Sequence, residues 1–292
     1  MRRASGSALR FKVFDAFASR RFEGSPTAVV YYGGVVDKER MHRIARELGF
    51  RDTFFLMPAN DPSLLFSSLT FTPHQELAVC GQGMVSGLFA LLDDGAIGPG
   101  RYTVEIALGE RTVWIEEEGE GGPAAYAAIG LPTVTPLSAE PPDLARILGR
   151  EVASGRKRIV DVGRSRLLVE TSPSALEDAR LRPQDVLKLC ADLDVSGLVL
   201  FARDAKEPGH VRSRVFTRSL KGAEDPTTGG AATAILGLLR ALHPEAPPIR
   251  LQVHQGDFVT RGGLIAARWD ADGGQAVAGG RAVKIAEGNL YL

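Results

Sequence analysis

Residues 216–236 read FTRSLKGAEDPTTGGAATAIL, and residues 71–92 read FTPHQELAVCGQGMVSGLFALL. Each stretch opens with Phe-Thr at the end of a β-type apolar run. Each passes through a loop with acidic residues, Glu76 in one and Glu224-Asp225 in the other. Each then reaches a small-residue turn, Cys80-Gly81-Gln82-Gly83 or Thr228-Gly229-Gly230-Ala231, that opens an apolar helix. A two-strand segment follows both, at residues 102–117 and 249–269. Cys80 and Thr228 stand 148 residues apart (228 − 80). A repeat of that length implies two similar lobes, not a solenoid.

Working outward, the pattern predicts strands at residues 11–17, 28–32, 53–57 and 67–72, and a helix at 38–48 capped by Asp37 and stopped by Gly49. A buried helix is expected at 84–92, then a hairpin of 102–108 and 112–117 around Gly109-Glu110. The second half repeats the plan. Helices are expected at 141–148, 182–192 and 231–242, with strands at 158–162, 166–170, 197–202 and 211–217. A closing meander covers 249–254, 264–269 and 282–292. The Pro- and Thr-rich residues 132–142 read as an interlobe linker and hinge. The expected class is α+β, with lobes at residues 1–130 and 131–292 and the last strand free to return to the first lobe.

Composition closes other doors. Lys plus Arg and Asp plus Glu both number 35, so the formal net charge is zero. A nucleic-acid or membrane-surface binder would need a basic excess. No apolar run is long enough to span a bilayer, and residues 1–11 lack the apolar core of a secretory signal, so a cytoplasmic protein is expected. The two cysteines, Cys80 and Cys190, can build neither a disulfide framework nor a zinc site, and no CxxC or HExxH occurs, so no metal is expected.

A turn that opens a helix presents backbone N–H groups, and the helix dipole adds partial positive charge. Gly81, Gly83, Gly229 and Gly230, with Thr228 and Ala231, are therefore candidates for binding a small carboxylate. Neither turn is a phosphate loop or a dinucleotide fingerprint. The nearby groups that can move protons are few: Asp52 before the TFFLM strand, Asp225 before the second turn, and Cys80, a thiol at a helix N-terminus. Each has a plain structural alternative, a turn or cap for the aspartates and core packing for Cys80. Cys190 reads as core, Glu47 and His74 as solvated, and His254 as a strand residue.

FKVFDAFASRRFEGSPTAVV, ARELGFRDTFFL, FTPHQELAVCGQG, FTRSLKGAEDPTTGGAATAIL and the closing HQG and GGRAVKIAEGNLYL resemble the PhzF-like isomerase family across nearly the whole chain. The resemblance implies the diaminopimelate-epimerase fold: two pseudo-symmetric lobes, each a curved sheet around a helix, with the active site in the cleft. The family's shuttle glutamate falls on Asp52, one methylene shorter. Its histidine after the first turn falls on Gln82, and its serine in the second turn falls on Gly230. Its aspartate is retained as Asp225.

The resemblance implies an isomerase without cofactor, and commonly a homodimer. Asp52 would shift a proton in a small unsaturated amino or carboxylic acid, with Asp225 orienting the substrate, Gln82 donating or accepting, and the second turn holding the carboxylate. A role in making antibiotic building blocks is compatible with the altered residues. Two alternatives stay open: an epimerase or racemase using Cys80, and a silent small-acid-binding protein. Epimerases of this fold use one cysteine per turn, and Thr228 stands at the second position.

Overall fold

The computed structural model describes residues 8–207, 209–245, 250–270 and 274–292. Its contacts divide into two compact units, one running up to Ala127 and resuming at Arg281–Leu292, the other Ala128–Gly280. The first unit holds β1 (Ala8–Ala16), β2 (Ser25–Tyr31), α1 (Lys38–Leu48), β3 (Asp52–Met57), β4 (Ser67–Phe71), β5 (Glu76–Leu77), α2 (Gly81–Asp93), β6 (Gly100–Ile106) and β7 (Gly109–Glu117). The chain passes into the second unit within β8 (Pro123–Gly130).

The second unit continues with β9 (Thr133–Pro136), α3 (Leu144–Leu148), α4 (Arg150–Ala153), β10 (Arg156–Asp161), β11 (Ser165–Glu170), α5 (Pro173–Asp178), α6 (Pro183–Asp192), β12 (Gly197–Arg203), β13 (His210–Thr217) and β14 (Glu224–Asp225). It then carries α7 (Gly229–Leu242), β15 (Arg250–Gln255), β16 (Gly263–Trp269) and β17 (Ala276–Gly280). The last strand, β18 (Ala282–Tyr291), belongs to the first unit and pairs antiparallel with β1.

The repeat extends to the order of the strands. In the first unit β18, β1, β2, β3, β4, β6 and β7 are successive neighbours, with β5 folded onto β4 and the first half of β8 on β7. In the second, β9, β10, β11, β12, β13, β15, β16 and β17 follow the same order, with β14 on β13. The parallel pairs also match: β2 with β3 and β4 with β6, against β11 with β12 and β13 with β15. Both units are therefore mixed, mostly antiparallel sheets, and the α+β class holds.

Each sheet carries a central apolar helix and an outer helical layer. Helix α2 packs on β1, β2 and β3, and Gly83 and Gly87 make that approach feasible. A Cβ on either would sit 2.7 or 2.6 Å from the ring of buried Phe54 in β3. Helix α1 buries Met41, Ile44 and Ala45 against Val30, Phe55 and Phe71 on the outer side. In the second unit α7 packs on β16 and β17, while α3 to α6 cover Leu167, Val169, Leu198 and Leu200. Cys190 lies in that outer core, and burial pushes its thiol up to about 11, so it stays protonated.

Several expected boundaries shift. Helices α2 and α7 begin at Gly81 and Gly229, so the small residues are their first turns. The Pro-rich segment expected as a linker contains β9, an edge strand paired with β10, where Pro132 and Pro136 are tolerated at the ends. Strands β8 (PAAYAAIG) and β17 (AVAGG) escape prediction because alanine and glycine carry no β signal. Residue 249 and the start of the chain through residue 7 fall outside the described residues. Among the described residues no helix is long and apolar enough to cross a membrane.

The C-terminal end of α2 is closed by charge. The Lys12 ammonium, itself fully buried, donates to the Ala90 carbonyl oxygen (3.3 Å) and Asp94 Oδ1 (2.8 Å) and also bonds Asp93. A cation there complements the helix dipole. Asp94, the C-cap, also accepts from Arg10 (2.7 Å) and from the Tyr31 hydroxyl. Burial alone would raise its pKa, but the bonds from Lys12, Tyr31 and Arg10 outweigh it and hold the carboxyl down at about 2. A carboxyl lowered on folding adds stability above its unfolded value, and that stability is lost as pH falls through the folded one. Asp94→Asn is therefore expected to flatten the loss of stability between about pH 4 and pH 2, read as urea midpoints across that range.

Candidate active site

The first cluster, in the first unit, is built by the end of one strand and the start of one helix. Asp52 opens β3 and is 2% exposed; its position is set by parallel pairing with Thr27 of β2. Gln82 lies in the first turn of α2, and its side-chain Nε2 donates to Asp52 Oδ2 at 2.6 Å in a buried setting. Cys80 is the N-cap of α2: its Sγ accepts from the Gly83 N–H at 3.3 Å, and the Met84 N–H donates to its carbonyl oxygen. Sulfur thus takes the capping place that Ser, Thr, Asp or Asn usually fill. The structure brings Asp52, Cys80, Gly81, Gln82 and Gly83 together. Two of the three positions that depart from the resembled family's pattern, 52 and 82, touch each other.

The second cluster, in the second unit, gathers Asp225, Thr228, Gly229, Gly230 and Ala231. Asp225 Oδ1 accepts from the Thr227 N–H (3.1 Å), a turn that Pro226 favours. Thr228 is the N-cap of α7, and its carbonyl oxygen accepts from Ala231 and Ala232. Gln255 ties this loop together. Its Nε2 donates to the Asp225 carbonyl oxygen (2.7 Å) and lies 3.2 Å from Thr228 Oγ1, and its Oε1 accepts from the Thr228 N–H (3.2 Å).

Other acidic and basic candidates stand apart. Glu224 is held by both Nε and Nη2 of Arg214, a buried ion pair that fixes β14 on β13. His254 bonds His210 at 3.1 Å, and burial followed by repulsion from His210 lowers its pKa. His74 and Glu47 are exposed. A cavity of about 710 Å³ in the second unit is lined by Glu170, Arg203, His210, Leu239 and His243, toward the other end of α7; no expected site residue lines it. Among the described residues no group of three or more His, Cys, Asp or Glu could hold a metal.

Sequence reading missed Gln255 and Arg166. Gln255 stands in the HQG triplet, but its capping role depends on β15 reaching the Asp225 turn. Arg166 hides as the charged first member of an apolar strand, RLLV, where an exposed end is the usual reading; the structure leaves it 6% exposed.

Comparison with known proteins agrees with this architecture. The sequence profile of the PhzC-PhzF family, described as phenazine biosynthesis-like protein, matches residues 14–288. An uncharacterized isomerase of Mesorhizobium japonicum is 27% identical over 301 residues, covering 97% of this chain and 98% of its own. The trans-2,3-dihydro-3-hydroxyanthranilate isomerase of Pseudomonas aeruginosa is 29% identical over 288 residues, covering 97% of this chain and 99% of its own. Among solved structures, a phenazine biosynthesis protein of the PhzF family from Bacillus anthracis superposes with a TM-score of 0.84 at 21% identity, over 98% of this chain and 100% of its own. A hydroxyproline epimerase from Agrobacterium vitis superposes with a TM-score of 0.71 at 16% identity, over 100% of this chain and 94% of its own. At those identities the two structures speak to the fold alone.

Proposed function

This chain belongs to the PhzC-PhzF family of phenazine biosynthesis-like proteins, and from that premise we propose that it is an isomerase that moves a proton within a small unsaturated amino or carboxylic acid. The observation that carries the reading is the buried Asp52–Gln82 contact at the first turn of α2. Asp52 is the acid–base group. Its carboxylate removes an allylic or α proton, and the C–H electron pair enters the conjugated system of the substrate. The resulting carboxylic acid exchanges its proton with solvent and gives one to a second carbon, so the double bond shifts and the net composition is unchanged.

One base works from one side of the substrate, which suits a double-bond shift better than inversion. Thr228 supports this choice, because the second turn offers a hydroxyl where a two-thiol racemase needs its other cysteine. Gln82 holds the carboxylate through a neutral amide, which stays neutral while Asp52 gains and loses the proton. Peptide N–H groups of the helix N-termini stabilise developing negative charge. Asp225 orients the substrate, and Thr228, Gly229, Gly230 and Ala231 bind its carboxylate. The relatives named as isomerases support the reaction class. A place in antibiotic building-block synthesis, in the cytoplasm, as a homodimer, fits the reading and belongs to the same proposal.

The test is isotope incorporation in D2O. The protein is incubated with trans-2,3-dihydro-3-hydroxyanthranilate and with cyclic unsaturated amino acids, and products are read by mass spectrometry and NMR. Deuterium at the carbon that becomes saturated supports the proposal. Deuterium at Cα with loss of optical activity and an unmoved double bond would replace it with epimerisation. Saturable binding with no exchange in any compound would favour a silent acid-binding protein.

A further inference from the structure

We propose that the second unit's cluster is an oxyanion pocket in which Arg166 and the first turn of α7 together grip an acid group of the substrate. The inference rests on the proton-transfer reading and deepens it, by assigning a substrate that carries a fully ionised carboxylate-type group and by naming the residue that selects for it.

The repeat allows the two clusters to be compared position by position. Thr53 faces Phe71 in one sheet and Leu198 faces Phe216 in the other, so Gly197 is the counterpart of Asp52. Cys80 and Thr228 both N-cap the central helix of their unit, so Gly230 is the counterpart of Gln82. The second unit therefore has two glycines where the first has its carboxylate and amide. Arg166 enters the room they leave. It pairs with Gly197 in the parallel register of β11 and β12. Its Nη2, Nη1 and Cζ lie 3.2, 3.4 and 3.6 Å from where a Cβ on Gly230 would be.

This guanidinium is buried, and among the described residues no carboxylate lies within ion-pair distance of it. Nη1 donates to the Arg164 carbonyl oxygen at 3.0 Å, and among the described residues Arg166 forms no ion pair. Burial, then repulsion from Arg164, pushes its pKa down to about 9, against the attraction of Asp225 and Asp161. It is still a cation at neutral pH. A buried cation with no ion pair weakens a fold, and an anion supplied from solution relieves it. The neighbouring helix end is suited to the same ion. The first bonds of α7 run from Ala231 and Ala232 back to Thr228, which leaves the Gly229 and Gly230 N–H groups ahead of the intrahelical ladder. The helix is 14 residues long, so its dipole adds to their pull. A planar guanidinium beside two such amides matches a carboxylate, which accepts two hydrogen bonds at once.

The test needs no turnover. Melting of the wild type, Arg166→Lys and Arg166→Met is followed against acetate, carbonate, phosphate and sulfate, with chloride holding ionic strength constant. At least one oxyanion is expected to stabilise the wild type saturably. Its affinity should fall about tenfold or more in Arg166→Met and less in Arg166→Lys. Without added oxyanion, Arg166→Met should melt at or above the wild type, since a buried charge that lacks a direct ion pair is gone. Three results would overturn the proposal: no saturable stabilisation of the wild type by any of the four, equal stabilisation of wild type and Arg166→Met, or Arg166→Met melting well below wild type, which would mark a scaffold role. Because no step of the assay involves Asp52, these outcomes are independent of whether proton exchange is found.

Discussion

Asp52→Asn is expected to lower deuterium incorporation and turnover by about 10²- to 10⁴-fold, the usual contribution of a positioned acid–base group. The substitution is nearly isosteric. The asparagine oxygen can still accept from Gln82 Nε2, so the 2.6 Å contact that seats residue 52 need not be lost. What disappears is the ability to take up a proton. Melting should therefore change by less than about 1 kcal/mol, and the loss should fall on kcat. Gln82→Met makes the complementary change. It removes the amide donor and leaves the buried carboxylate in place, so rates should fall by about tenfold. Asp52→Glu should be poor alone, because an added methylene cannot fit a 2.6 Å contact unless Gln82 moves; combining it with Gln82→His should recover activity. Full isotope uptake by Asp52→Asn would show that another group is the base.

Gly256→Ala is expected to be strongly destabilising. Gly256 has φ +98°, a conformation L side chains rarely adopt, and a Cβ there would lie 2.3 Å from the Arg261 carbonyl oxygen and 2.6 Å from that of Pro226. Both obstacles are backbone, so neither can swing aside. Pro226 belongs to the turn that carries Asp225, and Gln255, the preceding residue, holds that turn by its hydrogen bonds. The clash therefore displaces the loop leading into α7. A cost of about 3 kcal/mol is expected, from strain and overpacking together, with melting lowered by roughly 6–12 °C. Gly33→Ala serves as the control, since a Cβ there meets nothing within 4 Å and should shift stability by less than about 0.5 kcal/mol. If the two variants melt alike, the backbone path through Gly256 is not as tight as described.

Much of the fold was legible because the chain states its plan twice. The Phe-Thr, acidic loop and small-residue turn recur before α2 and before α7, and the matching strand orders follow from that repeat. Strands rich in Val, Phe and Leu, such as β3 and β12, announce themselves by composition. Strands β8 and β17 do not, because alanine and glycine are chosen there for small size in a buried sheet, which is a tertiary demand. The Pro-rich stretch misled for a related reason. Proline marks a break in a helix or central strand, yet β9 is an edge strand bounded by prolines and paired on one side with β10.

The residues alone determined the helix-opening turns, the few groups able to move a proton, and the absence of familiar nucleotide or zinc motifs, because each depends on residue type and local spacing. Only the tertiary structure decided which of those groups meet. Asp52 and Gln82 are 30 residues apart and share one buried hydrogen bond. Gln255 reaches back to cap a loop at Asp225 and Thr228. Arg166 reaches the amide end of α7 because Gly230 has no side chain in its way. Long-range pairing between strands sets those distances, and no local pattern in the sequence encodes them.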